Sequence, residues 1–267
     1  MDSDQRRLFE ESGYLVVEEA LPGEVTQRLR QRALALYEAD LRDRKVGPHD
    51  FWEMRNCLVA DDVFLDLVDW PATFPLVVDL LGWNVQLSTS HLTVLPPAAA
   101  GAQRPGRGGW HRDGGTSASE MAEPHPRLWV KIGYWLSDTT DSQSGAMRLV
   151  PGSHRLLGKP PTLPGEEEPV GAVDLRVRPG TAVLFEQRTW HARGWNRSDR
   201  PRIGLFIGYS YRWIRPMDYV TMPARLLENA SPIRRQLLGD ARTQMGYYLP
   251  TDEDVPLRAW ATARNDE

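Results

Sequence analysis

The stretch Val85-Gln86-Leu87-Ser88-Thr89-Ser90-His91-Leu92-Thr93-Val94-Leu95 alternates apolar and polar side chains, which predicts a half-buried β-strand rather than a helix. It marks a change of period in the chain. Upstream, residues 4–12 predict a helix stopped near Gly13, and 14–17 predict a short strand. Val25, Leu29, Ala33 and Leu36 then recur at helical spacing in a second helix, opened by Pro22-Gly23-Glu24 and running to about Leu41. Between Asp61 and Leu81 a third apolar-periodic segment, interrupted by Pro71 and Pro75, predicts two short helices ending at Gly82. Downstream, residues 128–136, 146–150, 174–177, 182–185 and 203–211 predict further strands. Turn residues separate them: Gly114-Gly115, Ser144-Gly145, Pro151-Gly152-Ser153 and Pro179-Gly180. Helices first and many short strands afterwards predict a mainly β domain, sandwich or barrel, with flanking helices on one face. From about residue 216 the chain turns polar and Arg-rich, which predicts a helical or lid-like C-terminal segment within one domain spanning residues 1–267.

A formal net charge of −4 over 267 residues carries no basic excess, so whole-chain electrostatics give no footing for a nucleic-acid partner or an anionic membrane. The expected partner is a small molecule. Cys57 is the only cysteine, which excludes an internal disulfide and any metal site built from several thiolates. The N-terminus opens on no apolar signal-like run, and no apolar stretch reaches membrane-spanning length. The expectation is a soluble protein of the reducing cytoplasm. No internal repeat or coiled-coil heptad is visible, and the sequence leaves the oligomeric state open.

The chemistry lies downstream of a Pro/Gly/Ala-rich loop at 96–109, in Trp110-His111-Arg112-Asp113. On an extended chain, positions two apart project from one face about 6.6 Å apart, so His111 and Asp113 can share a metal. A third ligand must come from elsewhere, and His191 follows the strand-like run 185–190 just before a Gly194-Trp195-Asn196 turn. Two imidazoles and one carboxylate on one triangular face leave three positions open, the facial arrangement of Fe(II) oxygenases. The open positions suit a bidentate keto-acid and then O2. Such a keto-acid carries a distal carboxylate that needs a cation, and Arg is preferred where a carboxylate is gripped in a fork. Arg202 opens the strand after the turn and is the candidate anchor; Arg197 and Arg200 are rivals that fit solvated turn positions better.

Taken in order, Trp110-His111-Arg112-Asp113, Ser144-Gly145-Ala146-Met147-Arg148-Leu149-Val150-Pro151-Gly152-Ser153-His154, Pro179-Gly180-Thr181, and His191 with Arg202 resemble the phytanoyl-CoA dioxygenase family. Ser12-Gly13-Tyr14-Leu15-Val16-Val17 is similar to that family's opening, so the resemblance spans roughly residues 8–210. It implies a double-stranded β-helix, the cupin-like jelly-roll barrel, with Fe(II), 2-oxoglutarate and O2 as cofactor and co-substrates. Carried over residue by residue, it implies His111, Asp113 and His191 as iron ligands and Arg202 as the 2-oxoglutarate anchor, with Thr93 and Tyr134 flanking the keto-acid. The chain departs from the family pattern at Arg193, where many members have a small hydroxyl residue that helps to hold the keto-acid. Asp113 itself speaks against halogenation, for which related enzymes replace this carboxylate by Gly or Ala.

The expected function is oxidation of an unactivated C–H in a small hydrophobic or polycyclic substrate. Hydroxylation is the default outcome; epimerisation, carbocyclisation and desaturation start from the same hydrogen abstraction. Bacterial members of the family often tailor natural products, which favours secondary metabolism over acyl-CoA breakdown. Two other readings stay open. One is a jelly-roll module that binds a ligand or metal without turnover, and the other a zinc hydrolase, which lacks a clear general base and leaves Arg202 unexplained. His154 is expected to cap backbone groups in its turn, and His91 and His125 to be ordinary strand and loop histidines. Trp110, Trp129, Trp135, Trp190 and Trp195 are expected mostly in the core. Arg104, Arg107 and Arg112 are expected as solvated loop charge.

Overall fold

In the computed structural model, which describes residues 1–102, 109–114 and 121–265, the 85–95 stretch forms one long strand, β3 (Val85–Leu95). Arg104, Arg107 and Gly115 lie outside the described residues. The strand is buried on both faces rather than one, and a β-bulge explains how its pattern still works. Leu87 pairs with Tyr209 and Thr89 with Gly208, so Ser88 is an extra residue. An extra residue moves every later side chain to the opposite face. Val85 and Leu87 before it, and Leu92 and Val94 after it, therefore all reach the same hydrophobic core. Thr93 and His91 are left facing an internal cleft.

That strand belongs to a six-stranded antiparallel sheet in the order β1-β7-β4-β9-β3-β2. Its other members are β1 (Tyr14–Val17), β2 (Trp52–Arg55), β4 (Trp129–Trp135), β7 (Ala182–Glu186) and β9 (Arg202–Tyr211). A three-stranded sheet, ordered β6-β5-β8, comprises β5 (Met147–Leu149), β6 (Val173–Leu175) and β8 (His191–Ala192). The two sheets face each other across a shared cluster in which Trp135, Val183 and Phe185 of the large sheet meet Met147, Leu149 and Leu175 of the small one. This is the jelly-roll arrangement the motifs imply. Strand alternation sorts β9 cleanly: Ile203, Leu205, Ile207 and Tyr209 enter the outer core, while Arg202 and Phe206 point between the sheets. Gly208 belongs to the inner set because a Cβ there would lie 2.5 Å from Thr89 Cγ2.

Helices cover the outer face. α1 (Ser3–Ser12) is stopped by Gly13, whose φ of 81° is open to glycine and whose Cβ would collide with Thr189 and His154. α2 (Gly23–Arg42) buries Leu29, Ala33 and Tyr37, and α3 (Phe74–Leu81) buries Phe74, Val77 and Leu81 in the same core. The predicted pair of helices between 61 and 81 is a 3-10 helix, Asp62–Asp69, followed by α3. Pro75 sits in the first turn of α3, where its missing N–H costs nothing, so it opens the helix instead of interrupting it. The C-terminal part is helical, with α4 (Ala224–Glu228), α5 (Pro232–Leu237) and α6 (Leu257–Asn265). Leu226, Leu237 and Leu257 from these helices and their flanks join the outer core. None of the segment's described residues lines the cleft, and its helix α5 packs against β3. No helix among the described residues is long and apolar enough to cross a membrane.

Candidate metal centre

His111 and His191 exchange backbone hydrogen bonds in both directions at 3.0 Å, forming a single antiparallel bridge that continues the small sheet. The sequence places His191 at the end of a strand running from Phe185. Instead β7 ends at Glu186, the chain turns, and His191 opens the two-residue β8. The turn has a purpose at the site. The backbone carbonyl of Gln187 accepts from the Asp113 N–H at 2.9 Å, while its side chain accepts from Leu128 N and Trp129 N and donates to the Pro126 carbonyl. Asp113 thus lies in a turn, not on a strand, and is located by its backbone. Beside it, buried Glu186 is held by the Arg127 and Arg188 side chains.

The ligating atoms of His111, Asp113 and His191 all lie within 4.8 Å of one another. In both histidines Nδ1 faces a backbone carbonyl, Gly109 for His111 at 2.6 Å and Thr189 for His191 at 2.9 Å. A carbonyl accepts, so Nδ1 carries the proton and the Nε2 lone pair is free for a metal. Asp113 Oδ1 lies 3.9 Å from His191 Nε2, and Asp113 Oδ2 lies 2.8 Å from Lys131 Nζ. Burial pushes the His191 imidazole down to about 4 against the opposing attraction of Asp113, which keeps it neutral near pH 7. For Asp113, burial works against ionisation, but the Lys131 ammonium and the two imidazoles outweigh it and hold the carboxyl below its ordinary range. A neutral imidazole at His191 and an ionised carboxylate at Asp113 are protonation states that a divalent ion requires of such ligands. These residues fit iron of the two-histidine, one-carboxylate type.

The three groups open onto a cleft of about 270 Å³. Arg202 and Thr93 line the same cleft. Arg202 is 5 % exposed, donates from Nη1 to the Gly145 carbonyl at 3.0 Å, and is brought down to about 10 by burial and the nearby Arg193 charge. Thr93 donates to the Gly204 carbonyl at 3.2 Å. Tyr134 is not part of the cleft, contrary to the role the resemblance implies. Its parity on β4 is that of Val130 and Ile132, so it enters the outer core, where its hydroxyl meets Thr73 Oγ1 at 2.7 Å. Lys131, on the opposite parity, is the β4 residue that reaches the site.

The sequence reading missed several lining residues. Lys131 carries a signal, being the single charge within the apolar run of β4. His91 stacks on Phe206 with ring centroids 4.9 Å apart and lies 3.8 Å from Glu53; burial pushes its imidazole well down. β2 was not anticipated, although Trp52-Glu53-Met54-Arg55 alternates as a strand should. Its Glu53 and Arg55, with Phe51 just before it, line the cleft. The five tryptophans considered above do not line it. His154 meets the Glu10 carbonyl at 3.1 Å, a structural role as expected. Arg197 lies over Trp195, and Arg200 is a solvated turn residue beside Asp199.

Three comparisons bear on this site. The chain is 25% identical to dioxygenase trt7 of Aspergillus terreus over 245 residues, covering 87% of this chain and 82% of that protein. It is 33% identical to dioxygenase cdmD of Talaromyces verruculosus over 98 residues, which is 36% of this chain and only 31% of that protein. Among solved structures, the epimerase SnoN in complex with Fe3+, alpha ketoglutarate and nogalamycin RO superposes with a TM-score of 0.58 at 20% identity, covering 78% of this chain and 82% of that one. That likeness establishes a common fold. The sequence model of phytanoyl-CoA dioxygenase matches residues 9–204, a span that contains His111, Asp113, His191 and Arg202, and on that match the chain belongs to the phytanoyl-CoA dioxygenase family.

Proposed function

We propose that this chain is an Fe(II)/2-oxoglutarate-dependent oxygenase that oxidises an unactivated C–H of a small hydrophobic or polycyclic substrate in natural-product tailoring. The observation that carries the reading is the triad itself: two histidines whose Nδ1 atoms are satisfied by backbone carbonyls, beside an ionised aspartate, on the wall of a cleft that also holds a buried arginine. His111 and His191 present Nε2, and Asp113 presents Oδ1, to the iron. Arg202 holds the distal carboxylate of 2-oxoglutarate and Thr93 flanks it. Iron loaded with 2-oxoglutarate and O2 supplies the oxidising power to remove hydrogen from a C–H bond. The protein's part is to fix the co-substrate, keep Asp113 ionised through Lys131, and line the cavity with Phe185, Phe206 and Met147, which exclude water around the reacting carbon.

The reading draws support from SnoN, an epimerase from nogalamycin biosynthesis whose complex holds Fe3+, alpha ketoglutarate and nogalamycin RO, and from the fungal relatives named dioxygenases. Hydroxylation is the default outcome. The carboxylate at Asp113 occupies the position a halide would need, so halogenation is disfavoured. A cytoplasmic setting suits a lone, buried Cys57. Protein mixed with Fe(II), 2-oxoglutarate and O2 in the presence of polycyclic candidate substrates should form succinate well above an iron-only control. Background-level succinate across such a panel, or turnover that survives Asp113→Ala, would overturn the proposal.

A further inference from the structure

Arg193 occupies the position at which the chain departs from the family's hydroxyl residue, and its surroundings indicate what it does instead. Its guanidinium lies 3.9 Å from the centre of the Phe51 ring, and both residues line the same cleft as Arg202. Strand register fixes which end of the cleft this is. Phe51 precedes Trp52, which pairs with Val94; the next β3 residue, Leu95, pairs with Arg202. A second path leads to the same point, because Arg202 donates to the Gly145 carbonyl and Gly145 is packed directly against Gly194, the neighbour of Arg193. Both guanidiniums therefore stand at the Arg202 end.

Neither has a carboxylate partner among the described residues. The acids that line the cleft are engaged elsewhere, Asp113 with Lys131, and Glu53 with Arg55 and His91. Arg202 is buried with no anion beside it, and the charge of Arg193, an exposed residue at the cleft mouth, adds repulsion; the pair becomes favourable when an anion enters between them. One carboxylate offers about four lone-pair positions on its two oxygens, enough for two guanidinium groups approaching from different walls.

Building on the 2-oxoglutarate reading above, we propose that Arg193 and Arg202 clamp the distal carboxylate of 2-oxoglutarate between them, with the Phe51 ring aligning Arg193. Arg202 supplies the buried grip from the large sheet. Arg193 supplies the second from the small sheet, in place of the family's hydroxyl. The clamp makes the site selective for a keto-acid with a second carboxylate at its far end.

The test is calorimetric titration of protein loaded with Ni(II) in place of Fe(II), using 2-oxoglutarate and 2-oxopentanoate, which has the same chain length but ends in a methyl group. The wild type should favour 2-oxoglutarate. Arg193→Gln should weaken 2-oxoglutarate about tenfold, the scale of one charge-assisted contact, and leave 2-oxopentanoate unchanged; Arg193→Lys should recover part of the loss. Unchanged 2-oxoglutarate affinity in Arg193→Gln, or equal losses for both ligands, would overturn the clamp while leaving Arg202 as sole anchor. A wild type that binds both ligands alike would sink the 2-oxoglutarate reading itself, and the clamp with it.

Discussion

Lys131 and Asp113 form a pair that is 8 % and 12 % exposed at the side chains, and each justifies the other's charge inside the protein. Lys131→Met leaves Asp113 with only its histidine neighbours, so the metal-free protein should lose about 3 kcal/mol of stability, the scale of a broken buried pair. Added Ni(II) restores a positive charge beside the carboxylate and should recover much of that loss. Urea titrations with and without the metal check this, and an equal loss in both would show that Lys131 acts only through packing. Asp113→Ala removes the ligand outright and should abolish Fe(II) retention in equilibrium dialysis while leaving the far-UV CD spectrum unchanged. At this scale the grouping of His111, Asp113 and His191, with Arg202 on the same cleft, was legible because their residue types and order are distinctive. Tyr134 was misassigned because motif carry-over across loops of different length does not preserve strand parity, and parity decides which face of β4 a side chain meets.

β3 shows why an element can be recognised and still be misread. Its apolar residues change parity between Leu87 and Leu92, a phase shift visible in the sequence, yet only the pairing with β9 shows that Ser88 absorbs it. Deleting Ser88 would leave a regular strand that cannot satisfy both halves. Either Leu92 and Val94 turn into the cleft and His91 and Thr93 into the core, or Val85 and Leu87 leave the core. We expect the deletion to cost more than about 3 kcal/mol, from exposed apolar groups and buried polar ones together, measured as a lower urea midpoint. An unchanged midpoint would mean that the bulge does not set the register. β8 escaped the sequence reading because its 2 residues are too few to show a period, whereas β2 alternates over 4 residues, as many as β1, but pairs only with β3 at the sheet edge. β2 carries Glu53 and Arg55, two cleft residues that went unread with it.

For the whole molecule, the site and the fold are coupled through protons. His191 in the metal-free protein titrates near 4, against 6.5 for an ordinary histidine. The unfolded chain therefore takes up a proton that the folded one refuses, so this contribution is present above about pH 6.5 and is lost as the pH falls toward 4. Asp113, held below its ordinary range, acts with the same sign at still lower pH. Metal-free protein should thus lose thermal stability on acidification from pH 7 to 4, by up to about 3 kcal/mol from His191, and His191→Gln should flatten that slope. Stability independent of pH across this window would contradict the buried, neutral state of the imidazole. The general architecture, helices outside a jelly roll, was legible because period and turn residues agree along the chain; the packing of the C-terminal helices onto the outer core was not, because their short amphipathic segments carry no address. The proposed function centres on one complex, iron held by His111, Asp113 and His191 and chelated by 2-oxoglutarate. Anaerobic titration of the Fe(II)-loaded protein with 2-oxoglutarate, followed by visible absorbance, tests it directly: a weak charge-transfer band should grow to saturation and be missing in Asp113→Ala, whereas a folded, iron-loaded wild type that develops no band would contradict the assignment.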